Sequence, residues 1–163
     1  GGFAARRAGP SPDRERIFAG IKQAVQQAFD TPPQLVCEPG RAMVAESFTL
    51  ATRVKAIRPD GAVFLNDGLY GALFEFRDMC AVDRLRAVSA CGLPRVGAPQ
   101  SRVVFGPTCD SIDRLPDAVD LPADLQEEDY VLFSGMGAYS LALATDFNGY
   151  GPTRPITVAS LSG

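Results

Sequence analysis

The stretch Phe48-Thr49-Leu50-Ala51-Thr52-Arg53-Val54-Lys55-Ala56-Ile57 marks a change in the character of the chain. It holds threonine, valine and isoleucine with alternating polarity, which predicts a long β-strand. Further strands, separated by glycine and proline turns, are predicted at residues 62–65, 86–90, 102–105, 129–133 and 156–161. Such spacing is typical of an antiparallel, Greek-key-like barrel or sandwich, which we assign to residues 48–163. We also predict a short apolar helix at 138–145 and expect this helix and the final strand to pack near the barrel.

Upstream of this stretch the pattern is that of an α/β unit. Ser11-Pro12-Asp13 predicts a helix start with serine as the N-cap, and apolar residues recur at helical spacing as far as Phe29. The apolar run Gln34–Cys37 then predicts a buried parallel strand. A helix followed by such a strand is half of an α/β repeat, so residues 1–47 are predicted to be the tail of an α/β domain.

Composition restricts the possible functions. The chain has 163 residues, 46% of them hydrophobic and 21% charged, which is typical of a globular domain with a buried core. A net charge of −3 with scattered signs gives no basic surface for nucleic acid, and no apolar run is long enough to span a membrane. The absence of histidine excludes Ser-His-Asp and Cys-His catalysis and most transition-metal sites.

Cysteine usage indicates the cellular compartment. The 4 cysteines have no CxxC spacing, so neither a zinc site nor a disulfide framework is predicted. We therefore expect reduced thiols and a cytoplasmic location. Any chemistry in this protein would use carboxylates, thiols, tyrosines or a cofactor.

A thiol and a carboxylate stand side by side, as Cys109 and Asp110, in a Gly-Pro loop. Loops on a rigid scaffold often carry function, but such a pair in isolation is more often incidental. Other short motifs occur at residues 38–41 (EPGR), 66–71 (NDGLYG), 135–139 (GMGAY) and 147–149 (FNG). Each has an ordinary structural alternative: an Arg-Glu pair, a turn, a packing tyrosine and a helix cap, respectively.

Taken in order, the motifs GGF, CEPGR, NDGLYG, GPTCDSID, GMGAY and FNGY resemble those of the eukaryotic-type ornithine decarboxylase family, which are fold type III enzymes that use pyridoxal phosphate. GPTCD is the most discriminating segment, because the related diaminopimelate decarboxylases typically have Glu in place of this Asp. The resemblance implies that residues 1–47 are the C-terminal part of a pyridoxal-phosphate-binding (β/α)8 barrel of the alanine-racemase type, followed by the β domain. The implied reaction is decarboxylation of L-ornithine to putrescine in polyamine biosynthesis, or of lysine to cadaverine.

The resemblance also implies roles for individual residues. Glu38 matches the carboxylate that pairs with the pyridine nitrogen of the cofactor and keeps it protonated. The positions that match the groups at the cofactor phosphate are Gly1, Gly2, Gly40, Arg41 and Tyr139. Cys109 matches the catalytic thiol that returns a proton to the substrate after carbon dioxide leaves. Asp110 matches the acid that binds the distal amine of the substrate, and Phe147 matches an aromatic residue of the substrate pocket.

In this family the thiol and the acid reach into the partner's cofactor site, so the resemblance implies a homodimer with its active sites at the interface. A second substrate-binding acid has no match in strict register, where Met79 stands, and Asp78 would serve only after a shift of one residue. The lysine that forms the Schiff base with the cofactor is also unmatched, since Lys22 and Lys55 fall elsewhere. We therefore expect the N-terminal barrel half on a separate or cleaved chain.

The alternative function is a catalytically inactive regulator that resembles these decarboxylases and binds partner proteins. Retention of Glu38, Arg41, Cys109 and Asp110 together favours the enzyme, because a decayed site has no reason to keep all of them. The two functions differ in the absorbance of the assembled protein, since the enzyme would show a Schiff-base band and the regulator would not.

Overall fold

The computed structural model describes residues 3, 5, 9–77, 84–151 and 154–159. Two helices, α1 (Arg14–Ala28) and α2 (Gly40–Val44), precede a β domain in these ranges. The strands are β1 (Thr49–Ile57), β2 (Val63–Leu65), β3 (Leu85–Val88), β4 (Pro99–Arg102), β5 (Val104–Phe105), β6 (Val119–Pro122) and β7 (Tyr130–Ser134). A five-stranded sheet has the order β3-β7-β1-β2-β5, and β4 pairs with β6 in a separate ribbon. Neither helix in the described ranges is both long and apolar enough to cross a membrane.

Strand β1 lies at the centre of the large sheet. It pairs in antiparallel fashion with β7 on one side and with β2 on the other. Leu50, Thr52 and Val54 are buried, whereas Ala51 and Lys55 on the opposite face are exposed. The prediction of a long strand is therefore confirmed, and the strand buries one of its faces.

The sheet differs from the predicted antiparallel arrangement in one pair of strands. Strands β2 and β5 run parallel, with Val63 opposite Val104. The strand predicted at 102–105 is divided between β4 and β5, and β6 is not among the predicted strands. Asp120 and Pro122 explain the omission of β6, because both residue types are depleted in strands and proline is tolerated only at strand ends and edges.

The hydrophobic core joins both sheets to the loop at 66–77. Val54, Leu121 and Phe133 are each at most 1% exposed. From the loop, Phe76 meets Phe133 edge-on, with the ring centroids 5.5 Å apart. This contact anchors a segment that contributes to the candidate site described below.

Residues before β1 form less structure than predicted. Asp13, rather than Ser11, is the N-cap of α1, because its carboxylate accepts a hydrogen bond from the Arg16 amide at 3.0 Å. The buried strand predicted at Gln34–Cys37 is wrong, since this segment forms no ladder and Val36 is 86% exposed. A parallel strand is buried only against neighbouring strands, and no strand of the described residues pairs with this segment. The assignment of residues 1–47 to such a barrel stays a prediction.

The helix predicted at 138–145 is also wrong. The chain turns there instead, with Tyr139 at a φ of 60° after Gly135 at a φ of 78°. A residue in the left-handed region interrupts a right-handed helix, so the apolar run cannot continue as one. Residues 154–159 contain no strand, and the end of the strand predicted at 156–161 lies outside the described residues.

Candidate active site

Asp113 is a buried carboxylate that ties the Gly-Pro loop to the neighbouring loop at 66–71. Its Oδ1 accepts a hydrogen bond from the Leu69 amide at 2.7 Å. Its Oδ2 accepts two from Thr108, from the amide at 3.1 Å and from the hydroxyl at 2.8 Å. Gly106 has no room for a side chain, because a Cβ would lie 2.3 Å from Asp113 Oδ1. The loop that carries Cys109 is therefore held in place from inside the fold, as is typical of a functional loop on a rigid scaffold.

Asp110 receives hydrogen bonds on both of its oxygens. The Tyr70 hydroxyl donates to Oδ2 at 2.5 Å, and the Ile112 amide donates to Oδ1 at 3.0 Å. Both bonds favour the ionised carboxylate, first the tyrosine bond and then the amide bond, and they lower the pKa of Asp110. The same hydrogen bond raises the pKa of the Tyr70 phenol, because the carboxylate stabilises its protonated form. The two hydrogen bonds therefore hold the negatively charged carboxylate of Asp110 in one orientation.

Tyr70 is itself fixed by two contacts with the segment that follows the turn at Tyr139. Its ring stacks on Phe147 with the centroids 4.5 Å apart. Its carbonyl oxygen accepts hydrogen bonds from the amide of Thr145 at 2.9 Å and from its hydroxyl at 2.8 Å. The sequence motif around Tyr70 predicts only an ordinary turn, so this residue of the site is missed without the structure.

The segment Phe147–Tyr150 forms a tight turn beside the thiol. Asn148 has a φ of 56° and a ψ of 20°, and Gly149 has a φ of 77°. The Tyr150 amide donates to the Phe147 carbonyl at 3.2 Å, so the segment is a type I′ turn, for which Asn-Gly is the preferred sequence. Its interpretation as a helix cap is wrong, because no helix precedes it. The Asn148 amide nitrogen lies 3.1 Å from Cys109 Sγ.

These contacts bring most of the predicted substrate-side residues together. Cys109, Asp110 and Phe147 are joined through the two further residues Tyr70 and Asn148, and we call this group the thiol cluster. Cys109 is exposed and Asp110 is half-buried, so both are accessible to a small molecule. Asp78 lies outside the described residues, as do Gly1 and Gly2.

A second group, which we call the arginine cluster, consists of Arg41, Glu75 and Tyr139. The Arg41 guanidinium carbon lies 4.6 Å from the centroid of the Tyr139 ring, in a cation–π contact. Its two terminal nitrogens bind the Glu75 carboxylate at 2.7 Å and 2.6 Å. The structural alternative for the EPGR motif is therefore partly correct, since Arg41 does form an ion pair, but with Glu75 rather than Glu38.

The arginine cluster offers hydrogen-bond donors of the kind that could hold the phosphate group of a cofactor. A guanidinium has five N–H donors, and the pair with Glu75 uses only two of them, so Arg41 retains donors for a second anion. Tyr139 adds a phenol next to it, held at a left-handed φ of 60° that is uncommon for residues other than glycine. Gly40 begins α2 directly before Arg41, and Glu38 is exposed two residues upstream of that helix.

The residues that sequence reasoning misses are those whose roles depend on the folded loops: Tyr70, Glu75, Asp113, Thr145 and Asn148. One signal was available, because the Asn-Gly dipeptide at 148–149 predicts a tight turn that excludes a helix cap. Most of the other contacts, such as those of Tyr70 with Asp110 and of Glu75 with Arg41, join positions more than 30 residues apart, and a single sequence gives no signal for them.

Comparison with known proteins identifies the class of this domain. The family model for the C-terminal sheet domain of pyridoxal-dependent decarboxylases matches residues 15–137. The chain therefore belongs to the pyridoxal-dependent decarboxylase family, and its fold is that of the C-terminal sheet domain.

Individual relatives show which members of the family the chain is similar to. The chloroplastic ornithine decarboxylase of Nicotiana glauca is 35% identical over 150 residues, covering 84% of this chain and 34% of the relative. The ornithine decarboxylase of Schizosaccharomyces pombe is 37% identical over 147 residues, covering 82% of this chain and 33% of the relative. A solved structure, the lysine/ornithine decarboxylase of Vibrio vulnificus complexed with cadaverine, is similar with a TM-score of 0.77 and 28% identity, covering 97% of this chain and 42% of that one. The chain spans about a third of the length of the curated relatives it matches.

Proposed function

We propose that this domain forms the substrate-side part of an enzyme that decarboxylates a basic amino acid with the help of pyridoxal phosphate. The observation that carries the proposal is the thiol cluster, in which a thiol and an oriented carboxylate are adjacent and each is held by its own donor. A loop with an incidental Cys-Asp pair would not require two separate segments of the fold to hold these two side chains.

Asp110 would bind the distal ammonium group of the substrate. The Tyr70 and Ile112 hydrogen bonds lower the pKa of Asp110 and fix the direction of its oxygens, so the carboxylate faces the substrate in one orientation. A charge-assisted hydrogen bond between carboxylate and ammonium is stronger than a neutral one, and it selects a basic side chain. Phe147, stacked on Tyr70 beside this carboxylate, would cover the methylene groups of the substrate.

Cys109 would return a proton to the substrate carbon after carbon dioxide leaves. A general acid must be within reach of the atom that it protonates. Cys109 is the chain neighbour of Asp110, so a substrate whose ammonium group binds Asp110 would lie beside the thiol. Its exposure in the described structure leaves room for the substrate to approach.

The cofactor would be held by Arg41 and Tyr139 at its phosphate, together with Gly1, Gly2 and Gly40, and by Glu38 at its ring. When pyridoxal phosphate is bound, its protonated ring stabilises the electron pair that decarboxylation leaves on the substrate carbon. Lys22 on α1 and Lys55 on β1 belong to neither cluster, so we propose that a barrel domain supplies the lysine that bonds the cofactor. The assembled protein would be a homodimer in which Cys109 and Asp110 serve the partner's site.

Ornithine is the proposed substrate and putrescine the product, with lysine as the second choice. The names of the relatives support this order, since the curated ones are ornithine decarboxylases and the solved structure is a lysine/ornithine decarboxylase. Asp110 alone would discriminate only weakly between substrates of different side-chain length, because one methylene group changes rates only about 10- to 200-fold.

The test is release of carbon dioxide from labelled ornithine, lysine and arginine by the assembled protein, with Asp110→Asn as the comparison. We expect ornithine to be preferred and the variant to lose activity toward every basic substrate. Release of no carbon dioxide, together with no Schiff-base absorbance in the assembled protein, would instead establish the inactive regulator. Intact-mass analysis of the same sample shows whether the barrel domain is on a separate polypeptide.

A further inference from the structure

The side-chain amide of Asn148 is directed at the sulfur of Cys109. The distance between Asn148 Nδ2 and Cys109 Sγ is 3.1 Å. In the part of the chain that the structure describes, Asn148 is the hydrogen-bond partner of this thiol. An amide nitrogen can only donate, so the sulfur accepts this bond and its own S–H remains directed elsewhere.

The Asn-Gly sequence suits the type I′ turn, but glycine in place of Asn148 would suit this backbone as well. The left-handed conformation of Asn148, with a φ of 56°, is adopted at least as readily by glycine, which occupies the next position with a φ of 77°. What asparagine adds over glycine is the amide group that reaches Cys109. The rigid turn fixes that amide, because both of its central residues are held by the bond from Tyr150 to Phe147.

The carboxylates near the thiol are engaged with other donors. Asp110 binds the Tyr70 hydroxyl and the Ile112 amide, and Asp113 binds the Leu69 amide and Thr108. None of these bonds involves the sulfur of Cys109. The group that contacts Sγ is the neutral side-chain amide of Asn148, and neither carboxylate contacts it in these bonds.

We propose that Asn148 is a positioning residue that orients the Cys109 thiol and stabilises the thiolate formed when it gives up its proton. The inference rests on the proposed function of Cys109. In the step, the S–H bond breaks and its electron pair stays on sulfur, while the proton joins the electron pair that carbon dioxide left on the substrate carbon. The negative charge on sulfur then lies against the Asn148 N–H until water restores the proton. A fixed donor aimed at developing charge is an effective way to stabilise such a step.

Two substitutions separate the amide from the backbone. Asn148→Gly preserves the left-handed backbone without strain and removes the donor. Asn148→Asp preserves the size of the side chain but replaces the donor with a negatively charged acceptor. Asp146→Asn is the control, since it changes a charge on the same segment without altering the group that contacts Sγ.

The first measurement follows the assembled enzyme. We expect Asn148→Gly to lower kcat for ornithine about tenfold, with KM within about twofold. The reason is that the Asn148 N–H faces a charged sulfur only after the thiolate begins to form, so its removal affects the chemical step and not substrate binding. The fraction of consumed substrate that appears as the amine should fall as well. Asn148→Asp should lower both kcat and the amine fraction further. Asp146→Asn should match the unmodified protein. A rise in KM with an unchanged amine fraction would show a structural role and overturn the inference.

The second measurement does not depend on decarboxylation. Alkylation of Cys109 by iodoacetamide, followed by peptide mass spectrometry, is compared with alkylation of the exposed Cys37 and Cys91 in the same sample. Because the thiolate is the reactive form, we expect the Cys109 rate relative to the two references to fall about threefold in Asn148→Gly and further in Asn148→Asp. An unchanged ratio would overturn the contact itself. A lowered ratio in a protein that decarboxylates no substrate would overturn the proposed function, and with it the catalytic role of the contact.

Discussion

The Tyr70 hydroxyl donates a 2.5 Å hydrogen bond to Asp110 Oδ2 across 40 residues of chain. This bond joins the loop at 66–71 to the Gly-Pro loop, and the stacking of Tyr70 on Phe147 adds the segment after residue 145. The direction of Asp110, the carboxylate that we propose to bind the substrate, therefore depends on the Tyr70 hydroxyl.

Tyr70→Phe should weaken substrate binding while leaving the fold intact. The variant keeps the ring that stacks on Phe147 but removes the donor that orients Asp110. We expect kcat/KM for ornithine to fall about tenfold, mainly through a higher KM, since hydrogen bonds to charged groups have effects of this size. Steady-state kinetics of the assembled protein checks this, with Tyr130→Phe on β7 as the matched control. An unchanged KM would show that Asp110 does not need this donor.

The same pair should give stability a dependence on pH at both extremes. Asp110 has a lowered pKa in the folded state, so its contribution is present above the ordinary value of 3.8 and is lost as the pH falls through the folded value. Tyr70 has a raised pKa, so its contribution is present below the ordinary value of 10.0 and is lost as the pH rises through the folded value.

The stability advantage of the unmodified protein over Tyr70→Phe should therefore be greatest between about pH 5 and pH 9 and should shrink outside that window. Urea unfolding midpoints at acidic, neutral and alkaline pH measure it, again with Tyr130→Phe beside them. An advantage that stays constant across the whole range would mean that the ionised Asp110 is not involved.

A methyl group at Gly106 should destabilise the domain, whereas one at Gly20 should not. At Gly106 the added Cβ would lie 2.3 Å from Asp113 Oδ1 and displace a carboxylate that is 1% exposed. Overpacking of this kind costs about 1–3 kcal/mol. Gly20 lies within α1, and nothing lies within 4 Å of an added Cβ. Because alanine favours the helix more than glycine does, Gly20→Ala should stabilise α1 by up to about 1 kcal/mol.

Urea unfolding of the two variants supplies the comparison. The midpoint should fall for Gly106→Ala and hold or rise for Gly20→Ala, with the slope unchanged in both. Equal midpoints for the two variants would mean that Asp113 moves without cost and does not fix the loop.

Arg41→Lys should lower the affinity for pyridoxal phosphate. Lysine keeps the charge but cannot bind Glu75 with two parallel bonds and still present further donors to a phosphate. We expect the Kd of the assembled protein to rise about tenfold, as measured by cofactor fluorescence. Arg95→Lys is the control, because Arg95 makes a similar two-bond pair with Asp129 at 2.8 Å. If both variants bind the cofactor equally well, the arginine cluster does not hold its phosphate.

The sequence predicts the parts of this domain that depend on local pattern. The alternation in β1 predicts the strand, and the order of the short motifs predicts the family. The apolar pattern fails where burial needs a neighbouring strand: Leu35 and Val36 are apolar, yet they are 55% and 86% exposed. It also fails at 138–145, where composition favours a helix but Tyr139 adopts a left-handed conformation.

The candidate site divides in the same way. Cys109, Asp110 and Arg41 can be chosen from their motifs, because their chemistry is visible in the residue type. Tyr70 and Asn148 cannot, because their importance comes from hydrogen bonds to residues about 40 positions away, and such contacts exist only in the folded chain.

The segment 66–77 contributes to both clusters, with Tyr70 holding Asp110 and Glu75 holding Arg41. In the proposed homodimer these two clusters serve different active sites, since Asp110 faces the partner's cofactor and Arg41 its own. A single short piece of polypeptide, anchored by Phe76 in the core, would then be part of two catalytic centres at once. A change that shifts Phe76 within the core would then disturb both centres together, because the same short segment holds Asp110 and Arg41.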